Sequence, residues 1–287
     1  MVRNFMEMMR GQWQKDNFVC VGLDSEIGKI PAHLRRVEAD NPIRHLQFHF
    51  NGKIINATGN LVCAYKLNIA FYEELGEDGW ASLKRTVEFI RQRFPNVPVI
   101  LDAKRGDIGN TNLGYVRAAF GYLDADAITV SPYLGQEALK PFLEMKDRGI
   151  VVLCRTSNPG AGEFQDLRVL QIDERNRTSK PLYQIVAKHV AEEWNANGNC
   201  AIVAGATCPE ELGEIRKIVG DLPILIPGVG AQGADVEKTV AAGRDSRGQG
   251  MIINSSRGII FASNKEDFDV VARQKTIELR DLINRYR

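Results

Sequence analysis

The sequence has few cysteines, no long apolar run and almost no net charge, and each shortage excludes a class of protein. Its 287 residues include five cysteines, an odd number without C-x-x-C spacing, so neither a disulfide framework nor a cysteine-based zinc site is expected. No window approaches the roughly 18 consecutive apolar residues that indicate a membrane-spanning helix. The net charge is +1 and no long basic run occurs, which argues against binding to nucleic acid polymers or anionic membranes. Any function that depends on charge must therefore be local.

The amino-terminal segment also lacks the apolar stretch of a signal peptide, because Glu7 and Arg10 fall within it. The cysteines lie mostly in apolar runs and are expected to be buried and reduced, so we predict a cytoplasmic protein. His45 and His49 stand four residues apart, as metal ligands on a helix can. With no third candidate nearby, an exposed helix face is the favoured interpretation, and no metal or other cofactor is predicted.

The length allows either two ordinary domains or one large α/β domain, at about 150 residues per domain. The 44% hydrophobic and 25% charged fractions are typical of globular proteins. Short apolar, β-branched runs recur at residues 18–24, 64–69, 97–104, 127–133, 150–157, 200–206, 223–229 and 251–257. Each is nearly continuous, as expected for a parallel strand covered on both faces, and helical patterns lie between the runs.

Eight β-loop-α units, advancing by about 33 residues each, predict an α/β fold, a (β/α)8 TIM barrel that forms a single domain over residues 1–287. A doubly wound sheet is the alternative, but no linker or composition break divides the chain. Two stretches exceed a minimal barrel. Residues 1–17 carry apolar side chains at helical spacing and are predicted to form a helix that covers the barrel bottom. Residues 158–180 are polar and follow the fifth strand, so we predict an inserted active-site loop there.

Charged residues end or follow the first three strands. Asp24 ends the first, Lys66 lies in the second, Asp102 and Lys104 close the third, and Asp107 comes shortly after. Side chains alternate along a strand, so Asp102 and Lys104 share one face, and an apolar helix layer would leave both poorly solvated. The barrel mouth is therefore preferred. A single Asp/Lys pair is more often structural than catalytic, but two carboxylates and two ammoniums at neighbouring strand ends favour a functional network.

A glycine pattern follows the seventh strand. Gly228, Gly230 and Gly233 match G-x-G-x-x-G, but a dinucleotide site is a weak interpretation because the motif does not follow the first strand and no ribose-binding acid ends the next one. A phosphate site is favoured, built from backbone N–H groups of this loop and the guanidinium of Arg257. Turn glycines with a solvated arginine are the alternative. The charged cluster 244–247 between these strands is interpreted as a solvated loop.

The run at residues 101–111, LDAKRGDIGNT, closely resembles the signature D-x-K-x-x-D-I-x-x-T of the orotidine 5′-phosphate decarboxylase family. Further motifs in the same order extend the resemblance over nearly the whole chain: VGLD, YKLN, TSNPG, PGVGAQG and NSSRG. The chain is most similar to the longer bacterial branch, in which the loop after the fifth strand is extended. The resemblance implies a lyase of pyrimidine biosynthesis that decarboxylates orotidine 5′-phosphate in the last step of UMP formation, without cofactor or metal.

The resemblance also implies roles for the matching residues. Lys104 would protonate C6 of the pyrimidine and stabilise the C6 carbanion, and Asp102 would lie beside the substrate carboxylate. Lys66 and Asp24 would hold the ribose hydroxyls. The expected enzyme is a homodimer, in which three residues reach across the interface into the partner's site: Asp107, Ile108 and Thr111.

The other implied contacts lie at the far strand ends. Ser157 would contact the pyrimidine edge, Gln232 and Arg257 would bind the phosphate, and Pro227 is a further substrate-binding position. Two alternatives remain open: another sugar-phosphate decarboxylase or aldose-phosphate synthase of the same superfamily, which would need magnesium, and a catalytically silent phosphate-binding barrel. The Arg-Gly insert after Lys104, the I-x-x-T that follows and the TSNPG segment favour the pyrimidine nucleotide.

Overall fold

Parallel strands close into a barrel in the computed structural model, which describes residues 3–172, 177–229 and 235–287. In chain order the strands are β1 (Val19–Gly22), β2 (Ala64–Asn68), β3 (Val99–Arg105), β4 (Ala127–Val130), β5 (Gly149–Arg155), β6 (Arg168–Ile172), β7 (Arg177–Pro181), β8 (Cys200–Ala204), β9 (Ile224–Pro227) and β10 (Met251–Ser255). All except β6 and β7 belong to the barrel, in the order β1-β10-β9-β8-β5-β4-β3-β2. The predicted (β/α)8 barrel is confirmed.

Helices connect the strands and cover the barrel. They are α1 (Phe5–Trp13), α2 (Ala32–Val37), α3 (Ile43–Thr58), α4 (Ala70–Glu73), α5 (Gly76–Arg93), α6 (Gly109–Val116), α7 (Gly135–Leu143), α8 (Gly162–Gln165), α9 (Leu182–His189), α10 (Pro209–Val219), α11 (Val236–Gly243), α12 (Arg257–Ile260) and α13 (Phe268–Tyr286). A wider π-helical turn extends α6 to Tyr122 and α9 to Trp194. No helix within the described residues is long and apolar enough to cross a membrane.

The eight barrel strands are almost entirely buried, since their inner faces fill the barrel and their outer faces meet the helices. Every residue of β1, β4, β8 and β10 is buried. This burial on both faces explains why the sequence shows continuous apolar runs instead of the alternation of a half-exposed sheet. The helices show the complementary pattern, with one apolar stripe facing the barrel.

Helix α1 lies across the amino-terminal ends of the strands. Asn4 caps it by accepting a hydrogen bond from the backbone N–H of Glu7 at 3.0 Å. The ring of Phe5 packs on the backbone of Gly149 at the start of β5, and Trp13 donates its indole N–H to the carbonyl of Met251 at 2.9 Å. The apolar spacing in this segment therefore corresponds to a helix that closes the barrel end opposite the carboxyl ends of the strands.

The segment after β5 is an extended insertion, as predicted, and part of it has regular structure. It contains the short helix α8 and two antiparallel strands, in which β6 pairs with β7 from Arg168↔Pro181 to Ile172↔Arg177. Phe164, Leu167 and Leu170 expose more than half of their surfaces. The polar composition of the segment did not indicate these strands or the exposed apolar side chains.

Two smaller expectations also need correction. His49 is half-buried and its Nδ1 lies 2.8 Å from the Glu38 carboxylate, so this part of α3 is not a freely solvated face. In the 244–247 cluster, Asp245 is buried and accepts hydrogen bonds from the backbone N–H groups of Arg247 and Gln249, which makes it the centre of a tight turn. All five cysteines fall in the described ranges and none is in a disulfide; burial raises the pKa of Cys20 to about 12.

Candidate active site

The carboxyl ends of the barrel strands surround a cavity of about 580 Å³. In a closed parallel barrel these ends all lie on one face, so side chains far apart in sequence meet there. Many of the predicted site residues line this cavity: Asp24, Lys66, Asp102, Lys104, Ser157, Pro227 and Arg257. Apolar side chains from β5, β8 and β9 complete its walls: Leu153, Val203 and Leu225.

Asp102 is the centre of a buried charge network. Its Oδ2 accepts a hydrogen bond from Lys66 Nζ at 2.7 Å, and its Oδ1 accepts one from Lys104 Nζ at 2.7 Å. The Lys66 side chain is only 5% exposed, whereas that of Lys104 is 50% exposed. Lys66 is therefore fixed within the barrel wall, while Lys104 presents its ammonium to the cavity.

Charge pairing outweighs burial at both buried members of the network. Burial by itself would raise the pKa of Asp102, but the two lysine ammoniums hold the pKa of this carboxyl well below its usual range. Burial would likewise lower the pKa of Lys66, yet Asp102 and Asp24 raise it above that of a free lysine. At neutral pH the network therefore consists of an ionised carboxylate between two cations.

Two residues that line the cavity each carry a buried oxygen with no hydrogen-bond partner among the described residues. They are Asp24, whose Oδ1 lies 3.8 Å from Lys66 Nζ, and Asn254, also through its Oδ1. Buried polar atoms are normally paired, and an unpaired acceptor loses much of its solvation. The polar side chains of Asp24 and Asn254 therefore add hydrogen-bonding groups to the cavity wall beside Lys66.

Asp107 does not join this network within one chain. Strand β3 ends at Arg105 and the chain then turns outward through Gly106, so Asp107 lies outside the set of residues that line the cavity. Its Oδ1 accepts the backbone N–H of Ile108 at 2.7 Å. Ile108 is 62% exposed and Thr111 is also exposed. Within a single chain the charge network therefore lacks the fourth member expected from the sequence.

The insertion after β5 reaches the cavity through Gln165 of α8. The Gln165 side chain accepts the backbone N–H of Thr156 at 2.9 Å and donates to the Thr156 hydroxyl at 2.9 Å. Arg155, which is buried, lies beside it with Nη1 3.3 Å from Gln165 Oε1 and Nη2 3.3 Å from Asp166 Oδ2. These contacts attach the insertion to the end of β5, next to Ser157.

The expected phosphate end is only partly described. Pro227 ends β9, Gly228 adopts a positive φ of 100°, and Arg257 begins α12 with an exposed side chain. All three line the cavity. Gln232 lies outside the described residues, as do the glycines at positions 230 and 233, so their predicted role stays a prediction.

Sequence reasoning missed several polar side chains of the cavity. Asn68 could have been found, because it stands two residues after Lys66 on β2 and alternation places both on one face. Thr129, on β4, and Gln165 offered no local signal, since each becomes a cavity residue only through the packing of separate segments. The described residues contain no group of three or more His, Cys, Asp or Glu side chains placed to hold a metal ion.

Comparison with known proteins gives a consistent result. A sequence model described as "Orotidine 5'-phosphate decarboxylase / HUMPS family" matches residues 19–267. Orotidine 5′-phosphate decarboxylases from Janthinobacterium sp. (strain Marseille) and Cupriavidus metallidurans are 47% and 48% identical over 283 and 285 residues. The alignments cover 98% and 99% of this chain and 98% of each relative. The solved structure of Leishmania donovani OMP decarboxylase superimposes with a TM-score of 0.80 at 33% identity, covering 98% of this chain and 99% of that one.

Proposed function

The chain belongs to the orotidine 5′-phosphate decarboxylase / HUMPS family, and on this premise we propose that it converts orotidine 5′-phosphate to uridine 5′-phosphate and carbon dioxide, the last step of UMP biosynthesis. It is accordingly a carboxy-lyase. The observation that carries the proposal is the network of Lys66, Asp102 and Lys104 on the wall of a cavity of about 580 Å³. This volume falls in the usual range for small-molecule sites, about 300–1,000 Å³.

The reaction breaks the bond between C6 of the pyrimidine and its carboxylate. Carbon dioxide leaves without the bonding electrons, which stay on C6 as a carbanion in the plane of the ring, where little delocalisation is available. Lys104 Nζ then donates a proton to C6, and the lysine regains a proton from solvent. The half-exposed ammonium of Lys104 at the cavity surface supports this assignment, because the hydrogen bond to Asp102 holds it in place there.

Electrostatic stabilisation is the main source of catalysis in this scheme. An ammonium that is fixed next to the reacting carbon stabilises the developing negative charge without reorganising during the step. Asp102 contributes in two ways: it fixes Lys104, and its ionised carboxylate repels the substrate carboxylate that must leave. The lowered pKa of Asp102 supports both roles, because the group stays charged at neutral pH.

The remaining predicted residues would bind the nonreacting parts of the nucleotide. Asp24, which lines the cavity beside Lys66 with its side chain 18% exposed, would accept a hydrogen bond from a ribose hydroxyl. Ser157 would contact the pyrimidine edge. Three residues would hold the phosphate end: Pro227 and Arg257, which line the cavity, and Gln232. Binding energy gained at the distant phosphate would then help to close the loops over the ring.

We further propose that the active enzyme is a homodimer in which Asp107, Ile108 and Thr111 enter the partner's site. All three leave the cavity of their own chain, and Ile108 is 62% exposed. More apolar surface is exposed on neighbouring segments after β3 and β4, including the 83% exposed side chain of Tyr133. A cluster of exposed apolar side chains is typical of an interaction surface.

Mixing two inactive variants tests the shared site. Lys104→Ala and Asp107→Ala should each be inactive, but a heterodimer of the two contains one site with both residues intact. After complete subunit exchange we expect recovery of about a quarter of wild-type activity, since half the dimers are mixed and each has one complete site. Proven exchange without recovery would contradict the shared site.

The reaction itself is tested by following the absorbance of orotidine 5′-phosphate after adding purified protein, with and without EDTA. We expect loss of substrate and formation of uridine 5′-phosphate in both cases. A persistent lack of turnover would contradict the proposal and favour a silent phosphate-binding barrel, whereas activity on an aldose phosphate that EDTA abolishes would favour the magnesium-dependent synthase.

We also propose a cytoplasmic location, supported by the unpaired cysteines of the described chain, which cell fractionation would test.

A further inference from the structure

The backbone of Lys104 has an unusual conformation for a residue in a strand. Its φ is +48°, in the left-handed region. The other described non-glycine residues with positive φ are Asp16 and Asp124. Aspartate tolerates this region better than lysine, whose longer side chain gains nothing from it. A residue keeps such a conformation only when its surroundings impose it.

The pairing of β3 with β4 is also irregular around Lys104. Leu101 is opposite Ile128 and Arg105 is opposite Val130, so four steps along β3 correspond to two along β4. The extra residues form an irregularity of the β-bulge type, a feature that often redirects a side chain next to an active site. Thr129 is the β4 residue that faces this irregularity.

The hydroxyl of Thr129 forms hydrogen bonds with two residues of the irregular segment, Asp102 and Lys104. Its Oγ1 accepts the backbone N–H of Lys104 at 2.9 Å and donates to Oδ1 of Asp102 at 2.9 Å. That same carboxylate oxygen accepts the hydrogen bond from Lys104 Nζ. A threonine hydroxyl has one hydrogen and two lone pairs, so this arrangement commits its hydrogen to Asp102 and a lone pair to Lys104.

We propose that Thr129 is a positioning residue that sets the direction of the Lys104 ammonium by holding the left-handed backbone of Lys104 against the carboxylate of Asp102. The inference rests on the proposed function, since it assigns Thr129 a part in presenting the proton donor. Thr129 is only 1% exposed, so water cannot readily replace its hydroxyl. Without the hydroxyl the N–H of Lys104 loses its partner, and the backbone is free to relax towards an extended conformation that displaces Nζ from C6.

Two substitutions separate this role from a merely structural one. Thr129→Val keeps the shape but removes the hydroxyl, and we expect kcat to fall by about 10- to 100-fold, because a displacement of about 1 Å at a reacting group has effects of this size. KM should stay within about threefold of wild type, because the substrate's binding groups are elsewhere. Thr129→Ser, which restores the hydroxyl, should recover most of kcat.

Thr276→Val is the matched control. Thr276 is also fully buried and donates its hydroxyl to a carbonyl, that of Ala272, at 2.8 Å, but it lies in α13 away from the cavity. We expect it to change thermal stability while leaving kcat and KM unchanged. If Thr129→Val fails to fold, Thr129→Ala compared with Thr129→Ser makes the same test.

Kinetics and a crystal structure together decide the outcome. A kcat within twofold of wild type in Thr129→Val, or equal losses in the Ser and Val variants, would overturn the positioning role. A rise in KM with unchanged kcat would also overturn it, because Thr129 would then be a substrate contact. A structure of Thr129→Val should show Lys104 out of the left-handed region. If φ stays near +48° there, the inference fails whether or not the wild-type protein decarboxylates orotidine 5′-phosphate, so its failure is distinguishable from that of the proposed reaction.

Discussion

Two buried carboxylates lie at opposite ends of the barrel, and each is surrounded by cations. Asp102, near the carboxyl end of β3, contacts Lys66 and Lys104. Asp126 immediately precedes β4 at the other end and is bound by Arg3 through two hydrogen bonds of 2.7 Å. Its Oδ2 also accepts the backbone N–H of Val99 at 2.9 Å. By burial and charge alone the two clusters are alike.

The type of cation and the access to solvent distinguish them. The planar fork of a guanidinium matches the two oxygens of a carboxylate, and Arg3 binds Asp126 in this way, which suits a permanent structural pair. Lysine is a compact cation that can give up a proton, and Lys104 is half-exposed on a cavity that Asp102 also lines, whereas Asp126 is only 1% exposed. The Asp102 cluster is therefore the one placed to act on a bound molecule. A buried charge network indicates function only together with an accessible proton donor and a cavity.

Replacing Lys104, the proposed proton donor, should have the largest effect. Lys104→Ala is expected to lower kcat by about four orders of magnitude or more, equivalent to over roughly 5 kcal/mol of transition-state stabilisation. The fold should survive, since half of this side chain is exposed. Steady-state kinetics and circular dichroism measure the two properties. Near-wild-type decarboxylation by the folded variant would refute the mechanism and the functional difference proposed between the Asp102 and Asp126 clusters.

A substitution at the opposite end of the barrel should lower stability and leave activity unchanged. Asp126→Asn leaves Arg3 facing a neutral amide, and we expect a loss of about 3–5 kcal/mol in the free energy of unfolding, typical of a broken buried ion pair. Urea denaturation measures this change. The kcat of the folded fraction should be unchanged, because Asp126 is far along the barrel from the cavity. Asp124→Asn, a neighbouring carboxylate whose side chain is 35% exposed, is the control and should cost less than about 1 kcal/mol. Equal losses of unfolding free energy in the two variants would contradict the expectation that burial makes the Asp126 ion pair the more costly one to break.

The smallest expected effect is a pH dependence of stability that comes from Asp102. Its pKa is lower in the folded than in the unfolded protein, so its stabilising contribution is present above the unfolded value of about 3.9 and is lost as pH falls towards the folded value. The difference in unfolding free energy between wild type and Asp102→Asn should be constant above about pH 5. Below about pH 4 it should shrink by at most about 1.4 kcal/mol per pH unit.

Acid titration of unfolding, followed by fluorescence, measures this difference. In the Lys104→Ala protein, the stabilising contribution of Asp102 should be lost over a narrower pH range than in wild type. The reason is that Lys104 is one of the two cations that lower the pKa of Asp102. A difference that does not vary between pH 6 and pH 3 would contradict the proposed charge state of the network.

Features carried by neighbouring residues were predictable from the sequence. Continuous apolar runs at regular intervals predicted the parallel barrel, because a strand buried on both faces leaves no room for alternation. The D-x-K spacing also predicted that Asp102 and Lys104 meet, and they do, although Lys104, with a φ of +48°, departs from the strand alternation assumed for it. The first inference depends on a periodicity of a few residues, which the chemistry of the backbone fixes locally.

Features that depend on distant segments were not predictable in this way. The Asp126 cluster joins Arg3 to a residue 123 positions later, and nothing near either residue indicates the pair. Likewise Thr129 gains its two partners only because β3 and β4 lie side by side with an irregular register. The sequence did not predict the strands of the insertion, because their exposed apolar residues lie within a segment whose composition is polar overall.

The sequence by itself determined the eight-unit barrel, the end at which the candidate site lies and most of the charged residues there, because strand burial acts over a few neighbouring positions. Only the tertiary structure decided which charges meet. Barrel closure placed Lys66 and Lys104 on opposite oxygens of Asp102, turned Asp107 out of its own cavity and bent the backbone of Lys104 against Thr129. These outcomes depend on the register between strands, which is set by the packing of the whole barrel and not by any local pattern.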